Sequence, residues 1–381
     1  MSKLSTMEIT RRIEETIMGK IGNNKVILLF GSRRVGKTFL INKIYMRFTG
    51  KKMMLNGEDF DVQELLKKRT VANYNRLVND TELLIIDEAQ AIPQVGLILK
   101  LMIDSHPRLT IIATGSSSLD LLNTAGEPLT GRTISYFLFP IAQMELGGDL
   151  LNIKGEIDDR LIVGCYPEIF QLNTTKEKEM YLRELVRSYL LKDILLYSGI
   201  KLSDKLIDLL RLIAYQIGSE VSYNEISNKL GINKITVENY LDLLQKVFIL
   251  FKLPSYSTNQ RNEISKGVKW YFYDNGIRNA IISDFRPTPL RNDIGLLWEN
   301  YIISERIKCN TYLQINRQMY FWRNYLQREI DLIELENGQL HAYEIKYGKD
   351  SKAKLPLAFK SSYPTAEFQV IHSDNYLDFI L

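Results

Sequence analysis

Three stretches of this 381-residue chain place chemically capable side chains at informative spacings. The first, Gly31-Ser32-Arg33-Arg34-Val35-Gly36-Lys37-Thr38, matches G-x-x-x-x-G-K-[ST] in full. Gly31 and Gly36 allow the tight turn that aims successive N–H groups and a helix N-terminus at phosphate oxygens. Lys37 would then reach the β- and γ-phosphates of ATP, and Thr38 would offer its hydroxyl to Mg2+. An incidental glycine turn is the competing reading. The motif lies, however, between the apolar run KVILLF and the helix-spaced FLINKIYMRF, the context it requires.

The second stretch is LLIIDEAQ, in which Leu83 to Ile86 deliver Asp87 and Glu88 to a strand tip. Phosphoryl chemistry needs one carboxylate to hold Mg2+ and another to orient or deprotonate the attacking water. Asp87 suits the first role and Glu88 the second. A third apolar run, LTIIA, ends on Thr114, with Ser116 and Ser117 just beyond. A small polar group there could sense the γ-phosphate or hold the water, although a serine-rich turn would look the same. Hydrolysis also needs positive charge against the transition state. Arg132 is the preferred arginine finger, in cis or in trans, ahead of Arg183 and Arg187 on one face of a later helix.

The remaining stretch is EIDLIELENGQLHAYEIKYG, Glu329 to Gly348, two alternating runs about an ENG turn. Glu344 and Lys346 are two apart and project to one face of a strand, while Ile345 points into a core. A hairpin can bring Asp331, at the start of one strand, beside Glu344 at the end of the next. Glu299, after Trp298, could supply a further carboxylate. Carboxylates converging on Mg2+ with a lysine near the attacking water would make a metal-dependent nuclease centre. Arg323 and Lys349 could contact phosphate. The plain alternative is a hairpin with charge along its wet face.

The elements that must position these residues follow from periodicity. An amphipathic helix covers roughly Thr6 to Met18, and three apolar runs, each with a polar tip, fit parallel strands joined by helical crossovers. Residues 176–196 read as helix. SYNEISNKLGINKITVENYLDLLQ has helix-turn-helix lengths with Gly231 at the turn, and VFILFKL then reads as a strand, which together suggest a winged helix. Asn233, Lys234, Thr236 and Asn239 would face a DNA groove, but Lys234 stands close to Glu238 and Asp242, and phosphate affinity needs clustered cations. The expected division is an α/β P-loop domain with helical extension over 1–200, a winged-helix domain over 201–285 and an α/β domain over 286–381.

Composition sets the limits. With 45% apolar and 25% charged residues the chain has an ordinary soluble balance, and no run approaches bilayer length. A formal charge of +4 gives little support for nucleic acid, because a balanced total can hide a basic face. Cys165 and Cys309 make neither a disulfide framework nor a thiolate cluster. A cytoplasmic, non-membrane protein is the expectation.

GSRRVGKT, LLIIDEAQ, IIATGSSS, the pair Gly131-Arg132 followed by FLFP, and GCYPE together resemble prokaryotic AAA+ ATPases that carry a C-terminal domain of restriction-endonuclease-like fold. WEN, YFWRNYLQREIDLIE and HAYEIKYG are similar to that domain's signatures. The resemblance implies an ATPase core, a winged-helix segment and a nuclease-like module in which Glu299, Asp331, Glu344 and Lys346 match an acid, acid-x-lysine core. Two functions are expected on this basis. One is an ATPase whose nucleotide state drives a DNA-directed module; the other is a nucleotide-dependent regulatory or scaffold protein whose other modules bind proteins. A trans finger would require a homo-oligomer.

Overall fold

Strands buried on both faces must be apolar throughout, and Val26–Phe30 (β1) meets that condition with all five residues buried. The computed structural model describes residues 9–116, 129–147, 154–190, 204–257, 267–348 and 353–381. Ser117, Lys349 and the start of the expected first helix lie outside them, as do parts of the 176–196 helix and of the polar stretch after Tyr256. The chain forms two compact units, Met1–Phe139 with Lys246–Phe248, and Pro140–Gln245 with Ile249–Leu381.

In the first unit β1 is joined by β2 (Lys52–Asn56), β3 (Leu83–Asp87), β4 (Thr110–Gly115) and β5 (Thr133–Phe137). All pair in parallel, in the order β2-β3-β4-β1-β5. Helices Lys37–Arg47, Phe60–Lys67, Val71–Val78 and Val95–Ser105 make the crossovers. The parallel run leaves the carboxyl ends of β1, β3 and β4 on one edge, where open α/β sheets hold their ligands.

The second unit begins with helices Ile157–Val163 and Thr175–Glu184. The order then runs helix Asp204–Tyr215, β6 (Glu220–Val221), helix Tyr223–Leu230, helix Lys234–Lys246, β7 (Leu250–Pro254) and β8 (Val268–Phe272). Gly231 ends the Tyr223–Leu230 helix at φ +65°, and Asn233 caps the next by accepting the Thr236 N–H at 2.7 Å. The strands form an antiparallel sheet with β8 in the centre.

After helix Ile294–Tyr312 come β9 (Gln318–Arg323), β10 (Glu329–Glu336), β11 (Gln339–Ile345) and β12 (Glu367–Ile371), in the order β12-β11-β10-β9. The ENG turn works because Asn337 and Gly338 both adopt positive φ, at 50° and 83°, as a tight hairpin requires. On β10, Asp331 and Leu332 together oppose the single residue Phe321 of β9, a bulge that re-aims Asp331. Trp322, Ile330, Ile333, Leu340, Ala342 and Phe359 pack the core beneath.

The expected boundary at 200 falls outside the described residues, and the one at 285 falls inside the second unit. The reason is the WEN segment of helix Ile294–Tyr312. Asn300, fully buried, accepts the Phe272 N–H at 2.7 Å and donates to the Phe272 carbonyl at 3.0 Å, so the helix stands in for a strand at the end of β8. Farther along, Arg306 donates to both oxygens of Glu334, at 2.8 and 2.7 Å, and Asn310 donates to Glu334 at 3.0 Å. The Glu334 side chain is wholly buried. Glu334→Ala would strand the Arg306 guanidinium in the interior at a cost of about 3–5 kcal/mol. Urea unfolding should show that loss, and an unchanged midpoint would remove this pair from the account of stability.

Candidate functional site

The phosphate loop follows β1 directly. A Cβ on Gly31 would lie 2.2 Å from the Leu138 carbonyl oxygen, so only glycine lets these two segments approach. Gly36 takes φ +96° as the cap of helix Lys37–Arg47, which puts Lys37 and Thr38 in its first turn. Arg34 also has positive φ, at 64°. Ser32 is buried and Val35 anchors the loop in the core, while Arg33 and Arg34 complete it. The buried Lys37 ammonium donates to the carbonyls of Gly31 and Ser32, at 2.9 and 3.0 Å.

The tips of β3 and β4 meet this loop. Thr38 Oγ1 donates to Asp87 Oδ2 at 2.8 Å, and Thr114 Oγ1 donates to Asp87 Oδ1. The Glu88 N–H donates to Thr114 Oγ1 at 2.9 Å. Glu88 takes φ +49°, and its carboxylate accepts from the Gln90 amide. The structure therefore gathers Lys37, Thr38, Asp87, Glu88 and Thr114 at one sheet edge. It adds Gly57, whose N–H donates to the Asp87 carbonyl at 2.7 Å and whose missing side chain admits the Glu88 backbone.

Arg132 is elsewhere. Its carbonyl accepts the Val26 N–H at 2.9 Å, which puts it at the amino end of β5, across the whole sheet from the loop. Five residues of β1 separate the two edges, about 17 Å at roughly 3.3 Å per residue. Its guanidinium is ion-paired with Asp104. Parallel pairing of β5 with β1 thus corrects the expectation of a finger in cis. Arg183 lies in the second unit, donating to Ser283 at 2.8 Å and covering the Phe285 ring.

The C-terminal carboxylates do come together, with partners not foreseen. Asp331 Oδ2 accepts the Ile345 N–H at 2.8 Å and lies 3.5 Å from Lys346 Nζ. Lys346 pairs with Glu344 at 2.6 Å. Glu299 Oε1 accepts the Tyr271 hydroxyl at 2.6 Å and lies 3.6 Å from Lys269 Nζ. Lys269 is also paired with Glu329. Lys269 and Tyr271 alternate along β8 and so share a face; that spacing within VKWYFY was the available signal. Arg323 approaches Glu329 at 3.7 Å and bonds Glu220 at 3.2 Å.

The electrostatics follow from this packing. Burial, then the charge of Asp331, pushes the Glu299 carboxyl up to about 7. Burial and Asp331 also raise Glu344. Burial alone would lower Lys269, but Glu299 and then Glu329 hold it above its ordinary value. The set Glu299, Asp331 and Glu344 does not fit a divalent metal as these side chains stand. Among the described residues no group of three acidic, histidine or cysteine side chains is arranged to hold one. A divalent ion 4 Å from an ammonium would be repelled by about 8 kcal/mol at an effective dielectric of 20, which cancels the pull of one carboxylate at the same distance.

Three family models match consecutive parts of the chain. Residues 23–147 match a model described as an AAA domain, and 154–288 and 294–379 match two domains of unknown function. An uncharacterized protein of Mycobacterium tuberculosis is 25% identical over 354 residues, spanning 91% of this chain and 76% of its own. An uncharacterized protein of Haemophilus influenzae is 23% identical over 319 residues, 77% of this chain and 74% of its own. Among solved structures, the Walker-type ATPase of Pyrococcus abyssi superposes with a TM-score of 0.53 at 16% identity, covering 72% of this chain and 96% of that one. With its parallel sheet and phosphate loop, this chain carries a P-loop ATPase fold of the AAA+ type.

Proposed function

We propose that the protein is an ATP-binding, Mg2+-dependent ATP hydrolase that acts as a nucleotide-dependent regulatory switch. The carrying observation is the hydrogen-bonded set Thr38–Asp87–Thr114 at the mouth of the Gly31–Thr38 loop. Thr38 and Asp87 offer hard oxygen donors 2.8 Å apart, which suits Mg2+. When bound with ATP, that ion would offset charge on the β- and γ-phosphates. Lys37 binds the phosphates, Thr114 holds Asp87 in orientation, and Glu88 orients or deprotonates the attacking water.

For the rest of the chain the observations favour protein-interaction modules over a DNA-directed enzyme. We read residues 204–272 as a winged-helix unit and the helix and sheet after residue 293 as a nuclease-like fold. On the second helix of the former, Lys234 pairs with Glu238 at 3.6 Å, and Asn233 and Thr236 are engaged in the cap. Ile235 on that helix is 67% exposed, an apolar contact offered to a protein rather than to phosphate.

Lys37→Ala should abolish measurable ATP binding by calorimetry, and Glu88→Gln should keep binding while lowering turnover about 100- to 1000-fold. Unchanged turnover in Glu88→Gln would displace that residue from its role. The wild type should bind neither single- nor double-stranded DNA at 150 mM salt, roughly one physiological ionic strength; salt-sensitive retention on a DNA filter would restore the DNA-directed reading. With Arg132 absent from the site in cis, the transition-state cation is assigned to a second copy of the chain. Sedimentation with ATP and Mg2+ should show self-association, and a monomer at every concentration would sink that assignment.

A further inference from the structure

We infer that Lys269 is the resident cation of the C-terminal carboxylate centre and that, with Lys269 in place, this centre takes up no divalent metal. The two lysines of the centre differ in how they are held. Lys346 follows the end of β11 and its side chain is 42% exposed, so it can swing aside. Lys269 projects from the central strand of an antiparallel sheet, and its side chain is 1% exposed.

The Lys269 ammonium has three neighbours. Nζ is paired with Glu329 and lies 3.6 Å from Glu299. The same Nζ stands 5.2 Å from the centre of the Phe321 ring, whose carbonyl accepts the Tyr256 N–H at 2.7 Å. Glu299 is closed in as well. Tyr271 donates to it, and a Cβ on Gly218 would come within 3.1 Å of its Oε1. Glu299, one of the carboxylates a metal would require, therefore already faces an ammonium and a hydroxyl, both from buried side chains of β8.

The charges agree with this role. Glu299, Glu329, Asp331 and Glu344 face Lys269 and Lys346, with Arg323 at the rim near Glu329. The lysine thus does for these carboxylates what a metal does in a hydrolytic centre, except that it leaves no open position for water or a phosphate oxygen. This proposal is independent of ATP binding at the other site.

Electron paramagnetic resonance of Mn2+ titrated into the full chain without nucleotide tests it. The wild type should take up no Mn2+ that Asp331→Asn removes. Lys269→Met should gain one site per chain, tighter than any wild-type uptake by about tenfold or more, and that site should vanish when Asp331→Asn is added. The double variant Lys269→Met/Glu329→Gln removes the buried pair together and should gain the same site, which covers the case in which Lys269→Met alone does not fold. Wild-type uptake that Asp331→Asn abolishes overturns the inference whatever the variants do. A folded Lys269 variant that gains no site overturns it as well.

Discussion

A charge in a protein interior must have its counter-charge within a few ångströms, and the second unit is arranged around that requirement. Helix Ile294–Tyr312 carries Glu299, Asn300, Glu305, Arg306 and Lys308 in buried positions. Each is matched. Glu299 faces Lys269 and Tyr271, Asn300 pairs with the β8 backbone, Arg306 grips Glu334, and Lys308 donates to Glu305 at 2.6 Å. Glu305 in turn accepts the Gln143 N–H at 2.6 Å. The helix is buried nearly all round, with Leu297, Trp298, Tyr301, Ile302 and Ile303 beside these polar residues, so apolar burial alone does not dictate its rotation and the pairings fix its register. Moving it by one residue would break several buried bonds at once.

The two lysine-bearing centres differ in what their ammonium groups touch. Lys37 bonds the backbone carbonyls of Gly31 and Ser32, neutral acceptors that an incoming phosphate can outbid with a charge-assisted bond. Lys269 already has carboxylates. On the proposed reading the first would exchange carbonyls for phosphate, whereas the second is held by carboxylates of the chain itself. Motifs of similar appearance along a chain can therefore end in opposite chemical states, and the difference lies in the neighbours rather than in the motif.

Legibility in the sequence followed the range of the interactions. The Gly31–Thr38 loop was readable because glycine spacing, the preceding strand and the following helix are contiguous, and Asp87 was readable as the end of an apolar strand. Arg132 was misplaced because its end of the sheet is decided by parallel pairing with a strand more than a hundred positions earlier. The hairpin alternation put Ile345 inside and Glu344 beside Lys346, which are local consequences of a two-residue period. The alternation in VKWYFY puts Lys269 and Tyr271 on one face, but nothing local names the carboxylates they reach, Glu299 and Glu329, 28 and 60 positions away. Nor does residue type announce the bulge at Asp331, which depends on the register of β9.

The bond from Gln143 to Glu305 spans 162 positions, and this separation bears on how the chain is made. A ribosome adding about 5–20 residues per second needs roughly 8–30 s to cover that distance. During that interval the segment around Gln143 has emerged, while the helix whose Glu305 will accept its N–H has not. The carboxyl-terminal strands arrive later still, and only then do Glu329 and Lys269 meet. Until residue 329 has emerged Lys269 lacks one of its two carboxylates, so this centre cannot be completed before then. The earliest moment at which this centre can form is thus set by the position of its charges along the chain.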